Sequence, residues 1–90
     1  MKRYFIQVMG SVQGVGFRYF VSYTAKLYNI TGWVRNCDDG SVEIEAQGHN
    51  EILDKFIKKL KIGNRFAEVE NINITPLPLD DKESSFRVKY

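Results

Sequence analysis

The chain is poor in cysteine and histidine, the residues most used for disulfide bonds, transition-metal ligation and acid–base catalysis. It has one of each among 90 residues. A single cysteine excludes an intramolecular disulfide bond and is typical of a reducing compartment. No apolar run approaches the roughly 18 residues that cross a membrane. The segment after Met1–Arg3 is interrupted by Gln7, unlike the apolar stretch of a signal peptide. We therefore expect a cytoplasmic protein that does not bind membranes.

A strong excess of one charge is also missing. Thirteen Lys and Arg against eleven Asp and Glu give a net charge of +2, whereas a dedicated nucleic-acid-binding protein usually carries a dense basic patch. Hydrophobic residues make up 43% of the chain and aromatic residues 13%, which is enough to form a core and argues against disorder. We expect one domain, residues 1–90, that is monomeric and binds no nucleic acid.

The first third of the chain changes from strand to helix periodicity. Apolar residues recur at every second position from Tyr4 and predict a strand that ends near Gly10–Val12. The spacing then becomes that of one helical face, from Phe17 to Tyr28. Asn29 follows this face, and asparagine tolerates the left-handed conformation that ends many helices. A strand followed by a helix is therefore predicted here.

The middle of the chain predicts a hairpin and a second helix. Residues 31–36 and 41–47 have the composition of strands, and the turn Cys37–Gly40 between them ends in an Asp-Gly pair that favours a hairpin. A second helical face starts after Gly48 and stops at Gly63.

The last third predicts two more strands. The apolar alternation slips between Val69 and Ile72, which a β-bulge would explain. A loop is expected over residues 76–82 and a short final strand over residues 86–90. The order is that of a ferredoxin-like split β-α-β-β-α-β sandwich in the α+β class. It has one antiparallel sheet, two helices on one face and a short extra C-terminal strand.

The segment Gly10–Arg18 lies between the first strand and the first helix and is rich in glycine. Glycine lets backbone N–H groups approach a ligand closely, and the first N–H groups of a helix have no partner within it. Such amides bind phosphate, and Arg18 adds a planar, charged fork that matches phosphate oxygens. The segment lacks the Gly-Lys-Ser/Thr of a P-loop, and Tyr19 replaces the third glycine of the dinucleotide motif. A phosphate site is predicted, and the alternative is a glycine-rich turn with an exposed arginine.

The same nine residues, Gly10–Arg18, resemble the characteristic motif of the acylphosphatase family. Further segments of that family are present as Thr31–Asn36, Asp39–Glu43 and Gly48. The resemblance covers essentially the whole chain. It implies a small stand-alone acylphosphatase, a hydrolase that converts acyl phosphates to carboxylate and inorganic phosphate.

The resemblance also implies which residues act. Arg18 and Asn36 would be the catalytic residues: Arg18 binds the phosphate and Asn36 orients the attacking water. The phosphate would also be held by the backbone amides of Gln13, Gly14, Val15, Gly16, Phe17 and Arg18. A carboxylate leaving group, with a conjugate-acid pKa of roughly 4, needs little general-acid help. Phosphoryl transfer mainly needs charge stabilisation and alignment. We therefore expect no metal and no cofactor, and a water proton that passes to the substrate phosphate or to solvent.

Several other polar residues have explanations simpler than catalysis. His49, the only histidine, stands at a helix start and is expected to be solvated or to cap the helix. Asp38 and Asp39 fit the hairpin turn and are too few oxygen ligands for a metal site. Cys37 lacks a nearby base and is expected to be a small residue lining the site. Asn64 stands where the resemblance leads us to expect proline, so the loop there is expected to be less rigid.

Two alternative functions remain open at this stage. An RNA-binding module of the same fold would stack bases on aromatic residues of the open sheet face, where Phe5 and Trp33 are expected. Glu43 and Glu45 should share that face and would repel phosphates. A non-catalytic domain that binds phosphorylated ligands is the other alternative, and the presence of both predicted catalytic residues argues against it.

Overall fold

The computed structural model describes every residue from Met1 to Tyr90 and contains five strands and two helices. In chain order the elements are β1 Lys2–Ser11, α1 Phe17–Leu27, β2 Thr31–Asn36, β3 Val42–Gly48, α2 Asn50–Ile62, β4 Glu68–Leu77 and β5 Phe86–Val88. This order confirms the predicted ferredoxin-like α+β arrangement. Both helices end as expected, because Asn29 and Gly63 have positive φ angles of 55° and 73°. Neither helix is long and apolar enough to span a membrane.

The strands form one sheet in the order β4-β1-β3-β2-β5. The first four strands pair antiparallel, as predicted, whereas β5 pairs in parallel with β2 and makes the sheet mixed. The direction of β5 follows from its connection. β4 ends beside the start of β1, and the chain then crosses that end of the sheet to the opposite edge, so that β5 runs in the same direction as β2.

The position of β3 sets the path of the chain near Asn36. β3 pairs with both β1 and β2 and therefore separates β1 from the strand that bears Asn36. Val42 of β3 is opposite Val8 on one side and Asn36 on the other. The loop between β1 and α1 must therefore pass the start of β3 before it reaches Asn36.

Both helices pack against the same face of the sheet and share one core with it. The buried core contains Ile6, Val8, Val34, Val42, Ile44 and Ala46 from the sheet, Val21 and Ala25 from α1, and Leu53, Phe56 and Leu60 from α2. Burial of each large apolar side chain contributes roughly 1.5–3 kcal/mol. The alternating apolar residues of β1 and β3 thus face one side of the sheet, where the even-numbered side chains pack against the helices.

The predicted β-bulge lies where β4 pairs with the end of β1. Met9 is opposite Asn71 and Gly10 is opposite Val69, so that Glu70 is the extra residue. Gly10 has a φ of 132°, and a methyl group added there would lie 2.2 Å from a carbonyl oxygen of β4. Only glycine fits such an approach, which explains its place just before the loop.

Two boundaries differ from the sequence prediction. Residues from Pro76 were assigned to a loop, but β4 continues to Leu77 and Pro76 is paired with Tyr4. Proline is tolerated there because β4 is an edge strand and needs no hydrogen bond on its outer side. Tyr90 was placed in the last strand, which instead ends at Val88 and leaves Tyr90 91% exposed.

The connection from β4 to β5 is fastened to the sheet by a buried arginine. Arg3 is only 4% exposed, and its Nη1 lies 2.6 Å from Glu83 Oε1 in that connection. Its Nη2 lies 2.8 Å from Glu45 Oε1 on β3. Nearby, the Gln47 side chain donates to the backbone oxygen of Asp80 and accepts from its N–H. These bonds hold the crossing segment, and therefore β5, in place.

We expect Arg3→Met to lower the free energy of unfolding by about 2–3 kcal/mol, because the two partly buried carboxylates lose their partner. Urea denaturation would measure this. Arg35→Met is the matched control: Arg35 pairs with Glu43 at 2.6 Å but is 51% exposed, so its loss should lower the free energy of unfolding much less. Equal effects of the two substitutions would contradict the anchoring role of Arg3.

Candidate active site

A cavity of about 200 Å³ lies between the β1–α1 loop, the first turn of α1 and the end of β2. Its lining residues are Val12, Gly14, Gly16, Phe17, Arg18, Tyr19 and Asn36. The structure thus brings five of the predicted site residues together: Gly14, Gly16, Phe17, Arg18 and Asn36. Gln13 and Val15 belong to the loop but do not line the cavity. Val12 and Tyr19 were not predicted to be there.

The loop is anchored at both ends. Val12 and Phe17 are each about 1% exposed and belong to the hydrophobic core. Between them Gly14 and Gly16 have φ angles of 72° and 74°, in the left-handed region that favours glycine. The buried ends and the two glycines together make a tight curve over the cavity.

The backbone N–H groups of this loop lack partners within the protein. None of those from Gln13 to Tyr19 donates to a backbone acceptor. No side chain caps the start of α1 and no acidic residue lies in its first turn. The N-terminus of a helix carries a partial positive charge, so the free N–H groups favour an anion here.

Arg18 brings a full positive charge to the same cavity. It takes part in none of the three ion pairs of the protein. Its guanidinium carbon lies 5.0 Å from the centroid of the Tyr90 ring, which is a cation–π contact. The contact orients the guanidinium group without using its N–H donors, which stay available to a bound anion.

Asn36 lines the cavity and has one unusual atom. Its Oδ1 is buried and accepts no hydrogen bond from the protein. Burial of an unpaired polar group costs roughly 1–3 kcal/mol, and such groups in folded proteins usually have a water or ligand partner. The position therefore favours a bound molecule that donates a hydrogen bond to Asn36.

The side chain of Gln13 ties the loop to the hairpin turn beyond Asn36. Its Nε2 donates to the backbone oxygens of Cys37 and Ser41, at 2.7 and 2.8 Å. Gln13 was predicted to act only through its backbone amide. Its structural role could not be read from the sequence, because its partners lie 24 and 28 residues away.

Two residues of the hairpin turn, Asp39 and Cys37, are unsuited to nucleophilic catalysis. Ser41 donates to Asp39 Oδ1 from its backbone N–H at 2.9 Å and from its hydroxyl at 2.6 Å. The hydroxyl bond is the main reason that the pKa of Asp39 lies below its usual range. Burial raises the pKa of the Cys37 thiol, which is therefore protonated at neutral pH and a poor nucleophile. Cys37 does not line the cavity, contrary to the expectation from the sequence.

His49 lies away from the cavity. It precedes α2, and its side chain makes no capping hydrogen bond. The adjacent Gly48 is paired with Lys2 at the start of β1, whereas the loop follows the other end of that strand. Of the two roles expected for His49, the structure supports the solvated one. No group of three or more His, Cys, Asp or Glu side chains is arranged to hold a metal ion.

These features define a ferredoxin-like α+β protein with a basic cavity at the start of its first helix. The family model described as Acylphosphatase matches residues 4–88, and the chain belongs to the acylphosphatase family. It is 51% identical to an acylphosphatase of Clostridium acetobutylicum, over 100% of this chain and 99% of that protein. It is 46% identical to one of Geobacillus thermodenitrificans, over 100% and 96%. The crystal structure of acylphosphatase from Bacillus subtilis superposes with a TM-score of 0.96, at 42% identity and full coverage of both chains. The resemblance seen in the sequence is thereby confirmed, together with the prediction of an enzyme that hydrolyses acyl phosphates.

Proposed function

We propose that the protein hydrolyses acyl phosphates without a metal ion, with Arg18 and Asn36 as its catalytic residues. The observation that carries this proposal is the shared cavity. Arg18, Asn36 with its unpaired Oδ1, and the loop glycines whose amides lack partners all line it. Each supplies one requirement of phosphoryl transfer to water.

The phosphoryl group is bound by the loop and by Arg18. The N–H groups between Gln13 and Arg18 donate to its oxygens, and Arg18 adds a charge-assisted, bidentate contact. In a loose transition state the negative charge is spread over the peripheral phosphoryl oxygens. The loop donors bind these oxygens in the substrate and in the transition state alike, and the fixed charge of Arg18 stabilises the transition state without reorganisation.

Asn36 orients the attacking water. Its Oδ1 accepts a hydrogen bond from the water, which attacks the phosphorus atom as the bond from phosphorus to the acyl oxygen breaks. The electron pair of that bond leaves with the carboxylate. Asn36 is not a base, so the water proton passes to a phosphate oxygen of the substrate or to solvent.

The acyl group extends out of the cavity. A volume of about 200 Å³ holds the phosphoryl group and water but not a large acyl group as well. Tyr19 lines the cavity and is 66% exposed, so the mouth is open on that side. We therefore propose a broad tolerance of acyl groups.

Benzoyl phosphate is the substrate for the first test. We expect turnover to persist in excess chelator and to be unchanged in the variant His49→Gln. No titrating enzyme base should be required between about pH 5 and 8, where histidine would act. The measurement is the initial rate of hydrolysis with and without chelator across that range. Loss of activity in chelator, or a base essential for turnover, would refute the corresponding part of the proposal.

The open sheet face does not favour the alternative of RNA binding. Trp33 is only 9% exposed and is covered by Lys89 and Arg35, at 4.2 and 5.6 Å from its ring centroid. Glu43 and Glu45 share this face, as predicted, and pair with arginines. A ring that is covered cannot stack on a base. The monomeric state, the single-domain organisation over residues 1–90 and the cytoplasmic location stay predictions.

A further inference from the structure

Asn64, in the connection between α2 and β4, makes a hydrogen bond to the phosphate-binding loop. Its Nδ2 donates to the backbone oxygen of Val15 at 2.8 Å. Its Oδ1 accepts from the N–H of Ala67 at 2.8 Å and of Phe66 at 3.3 Å. Both the nitrogen and the oxygen of the side-chain amide are therefore hydrogen-bonded. Its orientation is fixed, because only its oxygen can face two N–H donors and only its nitrogen can face a carbonyl.

The bond to Val15 determines the orientation of one peptide group in the loop. The carbonyl of Val15 and the N–H of Gly16 belong to the same planar, trans peptide and point in opposite directions. A carbonyl held towards Asn64 therefore directs the Gly16 N–H away from Asn64. That N–H has no acceptor in the protein, and Gly16 lines the cavity.

Without this bond the peptide would be free to rotate. A rotation of the 15–16 peptide changes mainly ψ of Val15 and φ of Gly16. Glycine accepts φ of either sign at little cost, and Gly16 is at 74°. The loop therefore contains a hinge among its proposed ligand-binding amides, and the side-chain amide of Asn64 is the group that holds it.

We propose that Asn64 is a positioning residue that keeps the Gly16 N–H directed at the bound phosphate. This inference rests on the proposed function of the loop. The loop after α2, expected to be less rigid because it lacks proline, is instead cross-linked to the active site through this side chain. Its contribution is to binding: the Gly16 N–H contacts the phosphoryl group in the substrate and in the transition state alike.

The test compares Asn64→Ser with Asn73→Ser. Serine retains a hydroxyl oxygen for the turn formed by residues 64–67 but is too short to reach Val15. Asn73 is an exposed residue of β4 with Gln7 opposite it and controls for the general effect of the exchange. We expect Asn64→Ser to raise the inhibition constant of inorganic phosphate and the KM for benzoyl phosphate by about tenfold. Because the lost contact is shared by ground state and transition state, kcat should change less than about threefold.

Three readings decide the outcome. The proposal is supported if KM and the phosphate inhibition constant rise in Asn64→Ser while its urea midpoint equals that of Asn73→Ser. Unchanged values in a folded Asn64→Ser variant overturn it, as does a fall in kcat alone, which would indicate a general loss of active protein. If that variant does not fold, Asn64→Asp keeps the acceptor for Phe66 and Ala67 and is assayed at high salt, which screens its charge. The same criteria apply to it.

A failure of the proposed function would look different. The parent protein would then show no turnover of benzoyl phosphate and no inhibition by inorganic phosphate. A parent that shows both, beside an Asn64 variant that matches it, would refute only the role of Asn64.

Discussion

Arg18→Ala is expected to lower kcat/KM for benzoyl phosphate by roughly a thousandfold or more, the range found when a charged group that stabilises phosphoryl transfer is removed. Arg18 is the one arginine that borders the cavity, and it has no carboxylate partner that would hold its charge elsewhere. Its removal should weaken both binding of the phosphoryl group and stabilisation of the transition state. Steady-state kinetics of the purified variant would measure both.

Arg18→Lys is the matched control for charge. Lysine restores the positive charge but not the planar fork of donors, so we expect only a partial recovery of kcat/KM over the alanine variant. Full activity of the lysine variant would show that only the charge is required. Unchanged activity of Arg18→Ala would remove Arg18 from the mechanism. Both variants should unfold at nearly the parent's urea midpoint, since Arg18 makes no ion pair.

Asn36→Ala is expected to lower kcat by roughly a hundredfold to a thousandfold, the effect seen when one group that aligns or stabilises the reacting atoms is lost. Its Oδ1 is the group proposed to hold the water, whereas the phosphate is proposed to be bound by the loop amides and Arg18. The inhibition constant of inorganic phosphate should therefore stay within about threefold of the parent value. Parallel measurements of kcat and of phosphate inhibition would separate the two roles.

The stability of Asn36→Ala should not fall with its activity. The buried Oδ1 has no hydrogen bond in the protein, and removal of such an atom relieves the cost of burying it unpaired. The urea midpoint is therefore expected to stay the same or to rise while activity falls. A variant that is less stable but fully active would show that Asn36 is a structural residue.

The variants at Arg18, Asn36 and Asn64 together distinguish binding from alignment. Arg18 should affect both phosphate inhibition and kcat, whereas Asn36 should affect kcat alone. Asn64 should affect phosphate inhibition and KM with little change in kcat. Three different kinetic patterns are thus expected around one cavity.

Local patterns in the sequence predicted most of the fold. The positive φ angles of Asn29 and Gly63, the hairpin around Gly40 and the slip between Val69 and Ile72 all depend on neighbours along the chain. The assignment of Pro76 to a loop was wrong because it depends on the arrangement of distant strands. Proline ends a central strand but not the outer edge of a sheet, and whether a strand lies at an edge is decided by the order of all five strands.

The site, like the fold, depends partly on neighbouring residues and partly on contacts between distant segments. The sequence by itself predicted the site: the glycines of the loop and the arginine at the start of α1 are close together along the chain, and the family resemblance implied the role of Asn36. Only the tertiary structure decided how these groups are held. It placed β3 between β1 and β2, joined Gln13 to the hairpin turn and joined Asn64 to Val15 across 49 residues. Contacts between distant segments depend on how the helices and strands pack, and no local pattern of residues records them.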